Sequence, residues 1–353
     1  MKKLLKSSLI FLPILLFIFA VNIYVDPASL LNKSAEKQIA RALLSGKNVE
    51  NVTNIDDRAM IEFYFDMRET PVDCLVLGAS RGMQISSEVT GIENTFNSGV
   101  TGAELRDMIS VYYMYREKFD APETVIITLE PWTLSETYIS KRCLTEGYYN
   151  FCEEYDFNPI KTNNIKVKLE KILEMFSISY FQQSINPIFS GNFNLKKQIA
   201  VTDAMSGEGD IRHWDGSYTY NRKFLSSSDT EKLDAINNMK VKVPPMIRDF
   251  RFGLDDQLER FIKMLKAEGS EVILFVPPIQ PEYYDFIVNE TPYADSLTET
   301  EKAYKRIAED NNLLIVGEYT NESLKMSDFY DVLHPTYEYV YDLFENFRNL
   351  YVR

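Results

Sequence analysis

Short apolar runs alternate along this chain with longer segments in which apolar residues recur every three or four positions. In one such segment the apolar side chains have the spacing i, i+3, i+4 and i+7 of an amphipathic helix: Leu258, Phe261, Ile262 and Leu265. Gly269 ends this predicted helix, and the apolar run at residues 272–276 predicts a buried strand.

The same alternation occurs on both sides of this unit. The runs DCLVLG (73–78) and ETVIITLE (123–130) predict buried strands, with a helix predicted between them at 101–119. The stretch 296–318 repeats the helix and the strand. Because short apolar strands alternate with amphipathic helices, the sequence predicts an α/β fold with a doubly wound, mostly parallel sheet covered on both faces.

The domain organisation follows from where this alternation starts and stops. Residues 28–70 are polar and predicted to be helical, forming a stalk or cover, and residues 71–353 form the α/β domain. Between about 135 and 250 the alternation breaks down, which predicts a helical and loop insertion with a helical piece around 165–181. Ligands of open α/β sheets bind at the carboxyl ends of the strands, so we expect the insertion to wall or cover the site.

The N-terminal segment, residues 1–27, has the composition of a membrane signal. Lys2, Lys3 and Lys6 precede an uncharged run at 9–25, near the short end of the roughly 17–25 residues that span a bilayer. We predict an uncleaved signal anchor, with a cleaved signal peptide as the alternative. The lysines would stay in the cytoplasm and everything after Asp26 would lie outside.

Composition narrows the class of partner. The formal charge of −14 over 353 residues argues against nucleic acid or an anionic membrane surface, since both favour a basic face. Aromatic residues make up 13% of the chain, and we expect most of them in the core. Trp132, Trp214 and Tyr218 are accordingly predicted to pack rather than to form a platform for sugar rings.

The three cysteines do not indicate a metal site. Cys74 lies in the apolar run before Gly78, where a small buried side chain is expected. Cys143 and Cys152 are nine residues apart and would be able to form a disulfide outside the cytoplasm. Without a CxxC pair or a histidine cluster, neither a metal nor another cofactor is predicted.

The candidate nucleophile is Ser80, within the G-x-S-x-G match at residues 78–82. The strand before it is the first of the domain, whereas an α/β-hydrolase has several strands before its nucleophile. On these five residues alone, a serine that caps the following helix is the competing interpretation.

A serine nucleophile needs a base, and the chain has only two histidines, His213 and His334. His334 follows Asp331 by three residues, so the carboxylate can hold the imidazole while its other nitrogen faces Ser80. Asp328 is an alternative acid. His213 is expected to be a loop residue of the insertion.

Three features together resemble the SGNH, or GDSL-like, hydrolase superfamily: a serine after the first strand, the block FNSGVTG (96–102) and Asp-x-x-His near the C-terminus. The resemblance implies an SGNH-hydrolase-like, flavodoxin-like three-layer fold. It implies that Ser80 is the nucleophile, His334 the base and Asp331 its orienting acid. The backbone N–H groups of Ser80 and Gly99 would then be the oxyanion donors.

The third block of that superfamily supplies an oxyanion asparagine, and this chain departs from it. Glu130, Pro131 and Trp132 stand where the asparagine is expected. The oxyanion hole is then either incomplete or completed by Asn97, which precedes Gly99 by two residues.

The modified pattern is similar to membrane-anchored SGNH-like proteins of teichoic acid D-alanylation and of alginate and cellulose O-acetylation. The stretches that carry this likeness are VDP (25–27), DGSYTY (215–220) and FVPPIQPEYY (275–284). The likeness implies an extracytoplasmic acyl esterase or O-acyltransferase acting on an O-acylated surface polysaccharide or a teichoic-acid-like polymer. An anionic polymer would give Arg81 a substrate to bind. The alternative is a non-catalytic module that docks on a membrane-bound O-acyltransferase.

Overall fold

The computed structural model describes residues 12–26, 31–50, 55–138, 145–160, 173, 175–189, 199–207 and 209–351. The strands of these residues are β1 (Asn48–Glu50), β2 (Cys74–Leu77), β3 (Thr95–Asn97), β4 (Thr124–Thr128), β5 (Ala200–Thr202), β6 (Ile211–Arg212), β7 (Tyr218–Thr219), β8 (Glu271–Phe275) and β9 (Leu314–Val316).

The helices in the first half are α1 (Leu12–Val25), α2 (Ser34–Leu44), α3 (Asp57–Met67), α4 (Ser87–Thr90), α5 (Leu105–Arg116) and α6 (Thr145–Glu154). Those in the second half are α7 (Ile178–Phe189), α8 (Asp229–Val241), α9 (Pro245–Arg248), α10 (Asp255–Ala267), α11 (Pro281–Glu290), α12 (Asp295–Asn311), α13 (Tyr337–Leu343) and α14 (Glu345–Tyr351).

The central sheet has five parallel strands in the order β3-β2-β4-β8-β9. The strands β2, β3 and β4 are short and buried along their whole length, as expected when helices cover both faces of a parallel sheet. The predicted α/β class with a parallel sheet is therefore confirmed. The registers Val76 opposite Asn97 and Leu77 opposite Ile127 bring the carboxyl ends of β3, β2 and β4 to one edge.

Alternate residues of β2 enter two separate hydrophobic cores. Leu75 and Leu77 join the larger core, which also contains apolar residues of α5, α10 and α12. Cys74 and Val76 face the opposite side, where Val340, Phe344 and Phe347 of the last two helices complete a smaller core. Because each face of the sheet carries its own helical layer, the domain has three layers.

A second, antiparallel sheet of four very short strands lies in the order β5-β1-β6-β7. Its strand β1 comes from the segment predicted to be a helical stalk, and its other strands come from the predicted insertion. Strands of two or three residues are too short to show a period of two, so the sequence did not indicate this sheet.

The predicted N-terminal anchor is not supported. The described residues of the predicted span form α1, which has 14 residues. Among the residues that can be described, none of the helices is both long and apolar enough to cross a membrane. The amide of Asn22 in α1 instead bonds the carbonyl of Met175 at 2.8 Å and accepts from Ser184 of α7.

Two predictions concern residues outside the described ranges. Cys143 lies outside them, so its disulfide with Cys152 stays a prediction. Most of the helical piece predicted around 165–181 also lies outside, and α7 begins at Ile178.

Candidate active site

Ser80 opens a 3-10 turn directly after β2, at the carboxyl edge of the sheet. The glycines on either side allow β4 to approach this turn. A Cβ on Gly78 would lie 2.4 Å from the Cβ of Thr128, and one on Gly82 would lie 2.1 Å from the Thr128 hydroxyl oxygen. The G-x-S-x-G spacing therefore reflects close packing of the turn against the neighbouring strand.

His334 reaches Ser80 from the loop that leads into α13. A bridge between Phe329 and Pro335 and a hydrogen bond from the Tyr330 N–H to the His334 carbonyl (2.8 Å) shape this loop. The imidazole Nε2 lies 3.0 Å from the Ser80 Oγ, and both side chains are half-buried. The two residues that the sequence predicted as nucleophile and base are thus in hydrogen-bond contact.

Asp331 orients the imidazole from the other side. Its Oδ2 lies 2.8 Å from the His334 Nδ1, and its Oδ1 accepts the backbone N–H groups of Leu333 (2.7 Å) and His334 (2.8 Å). Burial raises the pKa of Asp331, but the charge of His334 and these hydrogen bonds outweigh burial and hold the pKa below its ordinary value. The ionised carboxylate accepts the Nδ1 proton, which leaves Nε2 free to accept a proton from Ser80.

Asp328, the alternative acid, is occupied elsewhere. Its carboxylate accepts the backbone N–H of Lys325 at 2.8 Å, and its carbonyl accepts the Thr336 N–H at 2.7 Å. The hydrogen bonds that it makes stabilise the turn before the His334 loop.

The predicted oxyanion donors differ in position. The Ser80 N–H is at the start of its turn, where backbone N–H groups lack an intrahelical acceptor. The Gly99 N–H donates to the Asn97 Oδ1 at 2.9 Å, and the Gly99 carbonyl accepts from Arg212. The Asn97 Nδ2 donates to the carbonyls of Gly82 and Ile85, so this amide secures the segment after the nucleophile instead of facing it.

Arg81 does not face solvent where a polymer would pass. Its side chain is 2% exposed, and its Nε lies 3.2 Å from an Oε2 of Glu130, the residue in the position of the family's third-block asparagine. Arg81 also donates to the carbonyl of Pro277 and lies over the ring of Tyr319. Burial raises the pKa of the Glu130 carboxyl, with the charge of Arg81 opposing it. The two side chains form a buried polar contact next to the nucleophile turn.

Tyr220 is a site residue that the sequence did not single out, although its stretch DGSYTY was noted. Its hydroxyl donates to the Ser80 carbonyl at 3.1 Å, and its ring centroid lies 4.3 Å from that of His334. Burial raises the pKa of this hydroxyl well above its ordinary value, so it stays protonated at neutral pH. The predicted insertion thus contributes a wall to the site.

No group of three or more His, Cys, Asp or Glu side chains within the described ranges is arranged to hold a metal ion. The chain matches no protein-family model, and no match is found for it among curated proteins. The geometry of the site is that of a serine hydroxyl in hydrogen-bond contact with an imidazole, which an ionised carboxylate contacts on its other side.

Proposed function

We propose that this protein transfers acyl groups through an ester formed on Ser80. His334 takes the hydroxyl proton as Ser80 attacks the acyl carbonyl, and then returns it to the departing sugar oxygen. Water or a second hydroxyl, deprotonated by the same imidazole, releases the acyl group. The observation that carries the proposal is the continuous hydrogen-bond chain from Ser80 through His334 to Asp331.

We propose an O-acylated, in particular O-acetylated, cell-surface polysaccharide or teichoic-acid-like polymer as the substrate. The resemblance of the three motifs to SGNH hydrolases supports it. So does the strand order, which in chain order of the parallel strands is 2-1-3-4-5, the flavodoxin-like doubly wound order. An extracytoplasmic location belongs to the same proposal and rests on the lysines before the apolar run at 9–25.

A second candidate is a non-catalytic module that docks on a membrane-bound O-acyltransferase. The observation that favours it is the state of the oxyanion donors, because the Gly99 N–H already has an acceptor and Glu130 replaces the asparagine. Removing one such donor lowers turnover by ~10²–10³-fold in serine hydrolases. The catalytic proposal therefore expects slow hydrolysis in the free protein.

The test uses the full chain with an aryl acetate ester and with a serine-reactive fluorophosphonate. We expect Ser80→Ala and His334→Ala each to lower ester turnover at least ~10³-fold, because each removes a member of the chain. Labelling should disappear in Ser80→Ala. Ser226→Ala is the control, since this exposed hydroxyl bonds only the nearby carbonyls of Arg222 and Lys223. Equal turnover and labelling in wild type and Ser80→Ala would favour the docking module.

A further inference from the structure

A recess of about 770 Å³, counting the solvent at its open mouth, lies beside the aromatic side chains that contact Tyr220. Tyr218 and Tyr330 line it, and the ring of Tyr220 contacts both of them as well as His334, with centroids 4.8, 5.9 and 4.3 Å apart. Ring contacts through Tyr220 therefore connect the lining of the recess to the imidazole of His334.

Two buried polar side chains that line this recess lack hydrogen-bond partners among the described residues. They are Gln84, of which neither amide atom is paired, and His213, of which Nδ1 is unpaired. Gln84 is 1% exposed and His213 is 5% exposed, so both side chains lie within the wall of the recess. An unpaired buried amide destabilises the folded protein, and a ligand that pairs with it recovers part of that loss.

The charged groups around the recess already have partners. Arg222 pairs with Glu338, and the Glu88 carboxylate accepts the Tyr337 hydroxyl at 2.7 Å. Asp215 accepts the backbone and hydroxyl groups of Ser87 and Ser217. An anionic ligand would meet three carboxylates and an arginine that is already paired.

The groups left to bind a ligand are neutral. Burial lowers the pKa of His213, with Asp215 opposing, so the imidazole is uncharged at neutral pH. Its Nε2 is 2.7 Å from the Thr219 hydroxyl, which leaves Nδ1 for a ligand. A glutamine amide offers one acceptor and two donors, and hydroxyl groups can satisfy both kinds at once. Trp214, 37% exposed at the recess, offers an aromatic face to an apolar ring face.

We propose that this recess binds an uncharged sugar ring of the polysaccharide, with Gln84 and His213 pairing with its hydroxyls and Trp214 covering one face. This inference rests on the proposed acyl transfer for its biological role and narrows the substrate to a neutral polysaccharide instead of a polyanion. The sugar in the recess would hold the chain while the neighbouring unit presents its acyl group to Ser80.

Tryptophan fluorescence tests the inference without any turnover. The chain has two tryptophans, and Trp132 is buried with its Nε1 bonded to the Ala103 carbonyl, so ligand-dependent changes report on Trp214. The probes are three neutral tetrasaccharides, of β-1,4-glucose, mannose and N-acetylglucosamine, and the anionic tetragalacturonate. We expect at least one neutral probe to give a saturable change and the anion to bind more weakly.

The variant Gln84→Leu separates binding from folding. Removing an unpaired buried amide leaves the free energy of unfolding unchanged or raises it. The same substitution should weaken binding of the neutral probe at least about tenfold. Gln38→Leu, on the exposed surface of α2, is the matched control and should bind like wild type. Ser80→Ala should also bind like wild type, because it leaves the recess intact.

The outcomes distinguish the two proposals. Three results would each overturn the sugar site. The first is that none of the neutral probes binds saturably, and the second is that tetragalacturonate binds more tightly than they do. The third is that wild type and Gln84→Leu bind the neutral probe with equal affinity. Ester turnover in wild type alongside any of these results would leave the acyl-transfer proposal standing. Binding that depends on Gln84 in a protein without turnover would support the sugar site and reject the catalytic role of Ser80.

Discussion

At the scale of single residues, one carboxylate both shapes a loop and orients a base. Asp331 accepts two backbone N–H groups with Oδ1 and approaches the imidazole with Oδ2. The loop conformation and the histidine tautomer are therefore set by the same side chain. A substitution that keeps the shape of the group but removes its charge should separate these two roles.

Asp331→Asn should lower ester turnover by on the order of 10⁴-fold, because a neutral amide no longer stabilises the imidazolium and can present the wrong hydrogen to Nδ1. The fold should survive, since an amide oxygen still accepts the two backbone N–H groups. The measurement is kcat with the aryl ester beside a thermal unfolding curve.

Asp328→Asn is the matched control for this prediction. Both aspartates lie in the same loop region, but only Asp331 touches the histidine. Turnover that fell equally in the two variants would assign the loss to loop disruption and not to orientation of the base.

The sequence was sufficient to predict Ser80, Asp331 and His334, because histidine is scarce and Asp331 lies three residues before His334. Tyr220 could not be predicted in the same way, because it is one of 22 tyrosines and no local spacing marks its contact with Ser80. For Asn97, the sequence identified the residue as an oxyanion candidate, but it did not show the orientation of the side-chain amide. That orientation is set by hydrogen bonds to the carbonyls of Gly82 and Ile85.

At the scale of elements, the β6–β7 hairpin attaches the predicted insertion to the edge of the sheet. The Asn97 N–H donates to the Asp215 carbonyl at 2.7 Å, and the Tyr218 N–H donates to the Met83 carbonyl at the same distance. Gly216 in the turn has φ of +79°, and a Cβ there would lie 2.2 Å from the Asn97 carbonyl oxygen. The turn thus needs glycine both for its conformation and for its contact with β3.

Gly216→Ala should destabilise the protein by more than the ~1–3 kcal/mol expected for a strained backbone conformation alone. Gly46→Ala is the matched control, because Gly46 has φ of +73° with no atom near an added Cβ. Urea unfolding should show a larger loss of unfolding free energy for Gly216→Ala than for Gly46→Ala. Equal losses in the two variants would mean that the hairpin moves away from β3 without an energetic cost.

The same hairpin should make stability depend on pH through His213. Burial lowers the pKa of His213 below the ordinary value of 6.5. The charge of Asp215 opposes this lowering, and the charge of Arg212 lowers the pKa further. The unfolded chain then binds a proton that the folded chain resists, so the free energy of unfolding falls as the pH drops below about 6.5.

His213→Gln should reduce this loss of stability, because it removes the titrating group while keeping a polar side chain beside Thr219. The measurement is urea unfolding of both proteins at pH 7.5 and at pH 5.5. If the unfolding free energy changes by the same amount between the two pH values in both proteins, the pH dependence does not come from His213.

The long elements followed the sequence pattern and the short ones did not. The helix predicted from Leu258 to Leu265 is α10, and the strand predicted at 272–276 is β8, within one residue. The strands β6 and β7 have two residues each, and they are defined by their pairing with each other and by the pairing of β6 with the distant β1.

At the scale of the whole molecule, the C-terminal helices connect the site to the smaller core. The loop that carries His334 continues into α13, and Phe344 beside it packs on Phe275 of β8 with ring centroids 5.5 Å apart. His334 is thus attached to a helical layer whose position depends on buried aromatic contacts.

Phe344→Ala should lower the free energy of unfolding by ~3–5 kcal/mol, because it removes a fully buried aromatic side chain and leaves a cavity. Leu350→Ala in the same helical region should change it by no more than ~0.5 kcal/mol, since Leu350 is 61% exposed. Chemical denaturation of both variants measures the difference in unfolding free energy. Similar losses in the two variants would contradict the assignment of Phe344 to the smaller core.

The placement of the two reactive side chains also has a consequence during synthesis. Ser80 and His334 are 254 positions apart. At roughly 5–20 residues per second, the ribosome would add His334 roughly 10–50 s after Ser80. Until then the serine on a nascent chain has no base, and it is no more reactive than any other alcohol. The proposed acyl transfer therefore begins only after the loop that carries His334 has been synthesised and folded.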